Sequence, residues 1–178
     1  MLYTPLKERD EFRLIRLKPR NYLQGATLAQ NGTIFCTVEH SFVGKTPYVA
    51  LSYVWGDEND RRPIFVNGDL VHIGTNLEEA LRELRHDTED VILWADQLCI
   101  NQDDNIENSL QVQQMKSFYA QANHVIAWIG PAADGSAELF SLLKRTAQNV
   151  TECRYDQIYE DHEPVRILPS VSHSFKRF

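Results

Sequence analysis

Three runs of consecutive apolar residues punctuate the middle of the chain: Tyr48-Val49-Ala50-Leu51-Ser52-Tyr53-Val54-Trp55, Val91-Ile92-Leu93-Trp94 and His124-Val125-Ile126-Ala127-Trp128-Ile129. Each has strand length, and each stops on polar or turn residues: Gly56-Asp57, Asp96-Gln97 and Gly130-Pro131. Near-continuous apolar runs of this kind mark strands buried on both faces of a parallel sheet. Between them the apolar period changes to that of a helix. Leu77, Ala80, Leu81 and Leu84 form one stripe, with Glu78, Glu79, Arg82, Glu83 and Arg85 outside it. Thr75 and Glu78 have capping-box spacing, and the helix is expected to end near His86-Asp87. Asp104 opens a second helix, running to about Ala122, with Val112, Met115, Tyr119 and Ala122 inward and Phe118 beside them. A third is predicted from near Ser136, burying Phe140, Leu143 and Ala147.

The flanking segments are weaker strands. Phe12 to Leu17 and Ile34 to His40 are expected at the sheet edge, joined across a Gly- and Asn-bearing loop. Ile64 to Val71 carries Asn67-Gly68 between apolar residues, the signature of a two-residue type I′ hairpin, read as a flap over one flank of the sheet. Past Thr151 the pattern fades into an acidic, Pro-interrupted stretch, expected to be an irregular tail or the start of a following region. The fold class is therefore α/β: a parallel sheet flanked by helices, with an N-terminal strand extension and a β-hairpin insertion. One domain is expected over residues 1–150 with its core at 48–149, and a tail over 151–178. Ligands in such sheets bind outside the carboxyl ends of the strands.

Charge and composition narrow the function classes. With 18 basic against 25 acidic residues, the net charge of −7 opposes a broad grip on nucleic acid or an anionic membrane. Cys36, Cys99 and Cys153 are far apart, which argues against a disulfide framework or zinc site and for a reducing, cytoplasmic compartment. No signal-peptide pattern and no run long enough to span a membrane is present, and the histidines form no metal constellation. Neither GxGxxG nor GK[ST] occurs, so a dinucleotide dehydrogenase or P-loop NTPase is disfavoured.

Ala50-Leu51-Ser52-Tyr53-Val54-Trp55-Gly56-Asp57 and Leu93-Trp94-Ala95-Asp96-Gln97-Leu98-Cys99-Ile100-Asn101-Gln102 resemble two blocks of the fungal heterokaryon incompatibility (HET) domain. Gln111 to Met115 with Tyr119 and Ala122, then Val125 to Gly130, follow at that family's spacing. The resemblance covers about Phe12 to Leu143. It implies a TIR-like, flavodoxin-like fold and a role in nonself recognition between fungal strains that triggers programmed cell death. It also implies self-association and contact with other death-signalling proteins. TIR-like relatives include enzymes that cleave NAD at the nicotinamide–ribose bond, so NAD enters as a candidate substrate and no cofactor is expected. The alternative is a non-enzymatic homotypic adaptor. Where the family has Glu-Arg at the start of the second helix, this chain has Glu107-Asn108.

Releasing nicotinamide needs a carboxylate near the anomeric carbon to stabilise an oxocarbenium-like transition state. Glu107, at the mouth of the crossover, is the first candidate, and it is equally suited to closing a capping box with Asp104. Glu138 is the second, the resemblance placing the catalytic glutamate of TIR-type enzymes near there; it also suits the first turn of a solvated helix. Asp96 can orient a ribose hydroxyl or tie down the loop after it. Gly56 allows close approach of a ligand, and Asp57 can line the site or cap the turn. Trp55, at a strand end, can stack on a base or nicotinamide, while Trp94 and Trp128 read as core. Ser52, Cys99, Asn101 and Gln102 complete the candidate substrate-binding set. Each also has a packing role: a core hydroxyl, a small buried residue and two loop amides respectively.

Overall fold

The computed structural model describes residues 2–22 and 32–131 in full, with the backbone of 23–24, 27–28 and 166–167. Its strands are β1 (Glu11–Leu17), β2 (Leu23–Gln24), β3 (Thr27–Leu28), β4 (Phe35–Phe42), β5 (Val49–Tyr53), β6 (Arg61–Val66), β7 (Asp69–Gly74), β8 (Val91–Trp94), β9 (His124–Trp128) and β10 (Arg166–Ile167). The helices are α1 (Thr75–Leu84), α2 (Asp96–Cys99) and α3 (Asn105–Gln121). Among the described residues eight strands form one sheet in the order β10-β9-β5-β8-β1-β4-β6-β7, and β2 pairs with β3 separately.

The sheet is mixed: the parallel part expected over residues 48–149 is joined on one side by antiparallel pairings. β8, β5, β9 and β10 run parallel to one another. β1 is antiparallel to both β8 and β4, which places it inside the sheet rather than at its edge. Phe12, Leu14, Ile15 and Leu17 are all buried, as a strand covered on both faces must be. The β6–β7 hairpin turns at Asn67 (φ 53°) and Gly68 (φ 89°), both positive as a type I′ turn requires. It forms the outer edge of the sheet, β6 pairing parallel with β4, and is not a flap over it. β10, within the stretch expected to be an irregular tail or the start of a following region, pairs parallel with β9.

The helices bury faces that the apolar stripe did not outline. On α1, Glu78 is buried and held by Arg62 and Arg82, although its position had read as solvent-facing. Arg85, just past the helix, is also buried: its guanidinium donates to the Lys18, Pro19 and Thr33 carbonyls at 2.7–3.0 Å. The capping box at Thr75 does not form, because Thr75 donates to the Asp60 carbonyl and Glu78 turns inward. On α3 the expected cap does form, Asp104 Oδ1 accepting from Ile106 N and Glu107 N at 3.0 Å. Its inner face is Gln111, Met115, Phe118, Tyr119 and Ala122; Val112, read as inward, is half-exposed.

Phe118 stacks on Phe12 at 5.0 Å between centroids and meets Trp94 at 5.6 Å, so α3 is pinned across β1 and β8. Tyr48 reaches the Phe118 carbonyl from the start of β5. This aromatic centre fixes the height at which α3, and the loop before it, stand relative to the strand ends. Among the described residues no helix is long and apolar enough to cross a membrane.

Candidate functional site

β5 lies between β8 and β9, so the chain leaves it towards one neighbour and later returns on the other side. The carboxyl ends of these strands present Val54, Trp55, Asp96 and Ile129 at a common edge, Tyr53 pairing with Trp128 just below it. Trp55 is 41% exposed, whereas Trp94 and Trp128 are buried, as expected for each. Its indole Nε1 donates to Asp96 Oδ2 at 2.9 Å, which fixes the ring by its edge while the residue stays partly exposed. Val54 and Ile129, 69% and 61% exposed, flank it as an apolar rim.

A tight backbone seam supports this edge. Gly56 has φ +80°, and a Cβ there would stand 3.2 Å from Asn76 Nδ2, the atom that donates to the Val54 carbonyl at 2.9 Å. A Cβ on Gly74 would meet the Trp55 carbonyl at 3.0 Å, while Gly74 N donates to Gln97 Oε1 at 3.0 Å. Glycine at both positions lets the start of α1 press against the loop bearing Trp55. Asp57 folds back on its own loop, Oδ1 accepting from Asn59 N and Nδ2.

Two tyrosines stand beneath. The Tyr53 hydroxyl sits beside the Asp96 carboxylate, out of hydrogen-bonding geometry; burial, then the Asp96 charge, pushes its pKa upward. Tyr119 donates to the Leu51 carbonyl at 3.3 Å and is shifted the same way, by burial and then Asp96. Ser52 is exposed, in contrast to the core hydroxyl its place inside a strand suggests.

The loop from Cys99 to Asp104 is organised mostly by its own polar groups. Cys99 is buried, its Sγ accepting from Ala95 N at 3.4 Å, and burial pushes the thiol up to about 12. Gln102 donates to the Asp96 carbonyl and accepts from Asn108 Nδ2, both at 3.0 Å. Asn101 Oδ1 accepts from Asp103 N at 3.2 Å.

Glu107 is engaged from two sides. Arg13 donates from Nη1 to Oε1 at 2.5 Å and from Nη2 to Oε2 at 2.9 Å, while Asn101 N donates to Oε1 at 2.9 Å. The capping-box alternative is thereby replaced: Glu107 reaches the Asn101 amide, and Asp104 N turns to the Asn101 carbonyl. The guanidinium is 1% exposed and the carboxylate 11%. Burial pushes this carboxyl up, but the Arg13 and Asn101 hydrogen bonds outweigh it and hold it below the ordinary range. Arg13 also donates to the Cys99 and Thr4 carbonyls and lies 4.9 Å from the Tyr3 ring centroid.

Trp55, Gly56 and Asp96 thus meet at one edge with Ser52 close below, whereas Cys99, Asn101, Gln102 and Glu107 serve the adjoining loop and its clamp. Glu138 lies outside the described residues. Arg13, Tyr53, Asn76, Gln97 and Tyr119 went unread as site residues. For Arg13 a signal was available: a charged residue enclosed by Phe12, Leu14 and Ile15 needs a buried counter-charge.

The family model described as heterokaryon incompatibility protein (HET) matches residues 48–177. Heterokaryon incompatibility protein 6, OR allele, of Neurospora crassa is 34% identical over 143 residues, covering 72% of this chain and 21% of that protein. The chain therefore spans about a fifth of that relative's length. No solved structure matches the chain.

Proposed function

The chain belongs to the heterokaryon incompatibility family, and from that premise we propose that it is a nonself-recognition module that triggers cell death by hydrolysing NAD or a related nucleotide when self-associated. The supporting observation is the order β8-β5-β9-β10, in which the first parallel strand stands between the second and third. That is the flavodoxin-like order, whose ligands bind where the strand order reverses, and it supports a TIR-like reading of the parallel half. The reversal falls between β5 and β9, beside the partly exposed Trp55. In the proposed reaction the nicotinamide–ribose bond breaks with its electron pair leaving on the ring nitrogen, so that nicotinamide departs neutral, and water adds to the anomeric carbon and gives up a proton to solvent. Trp55 stacks on the leaving base, with Gly56 and Asp57 shaping the loop beside it. Glu138 and Glu107 are the candidate acids. Glu107 can serve only if Arg13 releases it, so Glu138 takes precedence.

A homotypic adaptor is the second reading. It draws support from Ile106 and Leu110, one turn apart on α3 and 76% and 55% exposed. The test incubates concentrated protein with NAD and follows free nicotinamide by chromatography, comparing wild type with Trp55→Ala, Glu107→Gln and Glu138→Gln. Release abolished by Trp55→Ala and Glu138→Gln is expected. No release at any concentration removes the hydrolase reading and leaves the adaptor.

A further inference from the structure

We propose that Trp55 and Asp96 together form a subsite for a planar organic cation, so that this edge of the sheet takes the pyridinium of an oxidised nicotinamide nucleotide and discriminates against its neutral, reduced counterpart. The inference rests on the nucleotide reading above and adds to it the charge state that the site selects.

The geometry supplies both halves of such a subsite. Trp55 is held by its Nε1–H on Asp96 Oδ2 and is 41% exposed, and indole is the strongest aromatic partner for a cation. The same contact brings a carboxylate to the edge of that ring. Asp96 has no Lys, Arg or His ion-pair partner among the described residues, since the ion pairs there involve other acids. Its Oδ1 accepts from Gln97 N at 2.8 Å and its Oδ2 from Trp55, so among the described residues its charge is met by neutral donors alone. The loop after Trp55 carries exposed Asp57, Glu58 and Asp60 followed directly by exposed Arg61 and Arg62, so its net contribution is only weakly negative. Val54 and Ile129 give a flat ring an apolar rim to enter by. A neutral dihydropyridine would keep the stacking and the rim but lose the Coulomb attraction.

The experiment uses 1-methylnicotinamide, a cation, against nicotinamide, its neutral counterpart, with the whole chain. Binding is followed by quenching of tryptophan fluorescence and by the charge-transfer absorbance expected of a pyridinium stacked on indole. The cation should bind roughly tenfold tighter than the neutral amide. Asp96→Asn, which keeps an acceptor for Trp55 Nε1 and removes the charge, should bring the two affinities together without changing the circular dichroism spectrum. Trp55→Phe should abolish the charge-transfer signal. Equal affinities in the wild type, or a preference unchanged in Asp96→Asn, overturns the proposal. If nicotinamide is nonetheless released from NAD, the hydrolase reading survives that loss. Cation preference without any release supports the subsite and removes the hydrolase.

Discussion

Replacing Arg13 by Met tests the clamp that joins β1 to the start of α3. In the wild type both guanidinium Nη atoms meet Glu107, and one also reaches the Cys99 carbonyl, the other the Thr4 carbonyl. With the pair at 1% and 11% exposure, the substitution leaves a carboxylate with little water and no counter-charge. Breaking a buried pair from one side costs about 3–5 kcal/mol. That is a large fraction of the roughly 5–15 kcal/mol that holds a typical domain together. For a urea slope near 2 kcal/mol/M, the midpoint of unfolding should fall by roughly 1.5–2.5 M. Glu107→Gln should cost a comparable amount, because it leaves the Arg13 guanidinium, 1% exposed, without its counter-charge and sets an amide NH2 against Nη2, although an oxygen still accepts from Asn101 N. The Arg13→Met, Glu107→Leu double variant should be more stable than the sum of its single variants implies, by about 1–3 kcal/mol. Urea titrations followed by circular dichroism measure all of these. An Arg13→Met midpoint within about 0.5 M of wild type, equivalent to about 1 kcal/mol, would refute the clamp. A Glu107→Gln protein of unchanged stability that loses all nicotinamide release would return Glu107 to the chemistry.

Three other outcomes can be checked by similar means. Asp104→Ala removes the acceptor for two helix N–H groups and should cost about 1 kcal/mol, lowering the melting temperature by roughly 2–4 °C. Gly56→Ala forces a side chain onto φ +80° and against Asn76, and should cost about 1–2 kcal/mol while altering Trp55 fluorescence; an unchanged melt and spectrum would exclude the strained seam. Glu11 is held down to about 2 from an ordinary 4.5 by the Lys7 N–H and by His40, against the opposing effect of burial. Because the folded pKa is the lower one, this contribution is complete above about pH 4.5 and is lost as pH falls towards about 2. Glu11→Gln should flatten that acid limb, and an identical acid titration in the variant would count against it.

The elements that the sequence made legible are those where one local requirement has one solution. Asn67-Gly68 must take positive φ, so the hairpin could be read directly; Asp104 has a side chain that can cap, and it does. Trp55 was separable from Trp94 and Trp128 because it alone follows the end of its strand. What stayed hidden depends on distant partners. β1 looked like an edge strand because Arg13 and Arg16 interrupt its apolar pattern, yet Arg13 is buried by a carboxylate 94 positions away. Glu78 and Arg85 looked solvated, since helical periodicity cannot register the carbonyls and guanidinium groups that other segments bring to them. The inner face of α3 was blurred by Gln111, a buried amide that donates to the Glu11 carbonyl. Trp55 was legible as a candidate contact; its anchorage to Asp96 needed the strands side by side.

The position of β1 and β4 has a practical corollary for anyone trimming this molecule. Both precede Tyr48, where the family match begins, yet they stand between β8 and β6 in the sheet. A fragment started at Tyr48 would carry a gap two strands wide, splitting off the β6–β7 hairpin and baring main-chain donors and acceptors on each side of the breach. Such raw margins invite intermolecular pairing. Truncation to the homologous segment should therefore yield sticky, ill-folded material, and the smallest self-sufficient unit must retain the residues ahead of it.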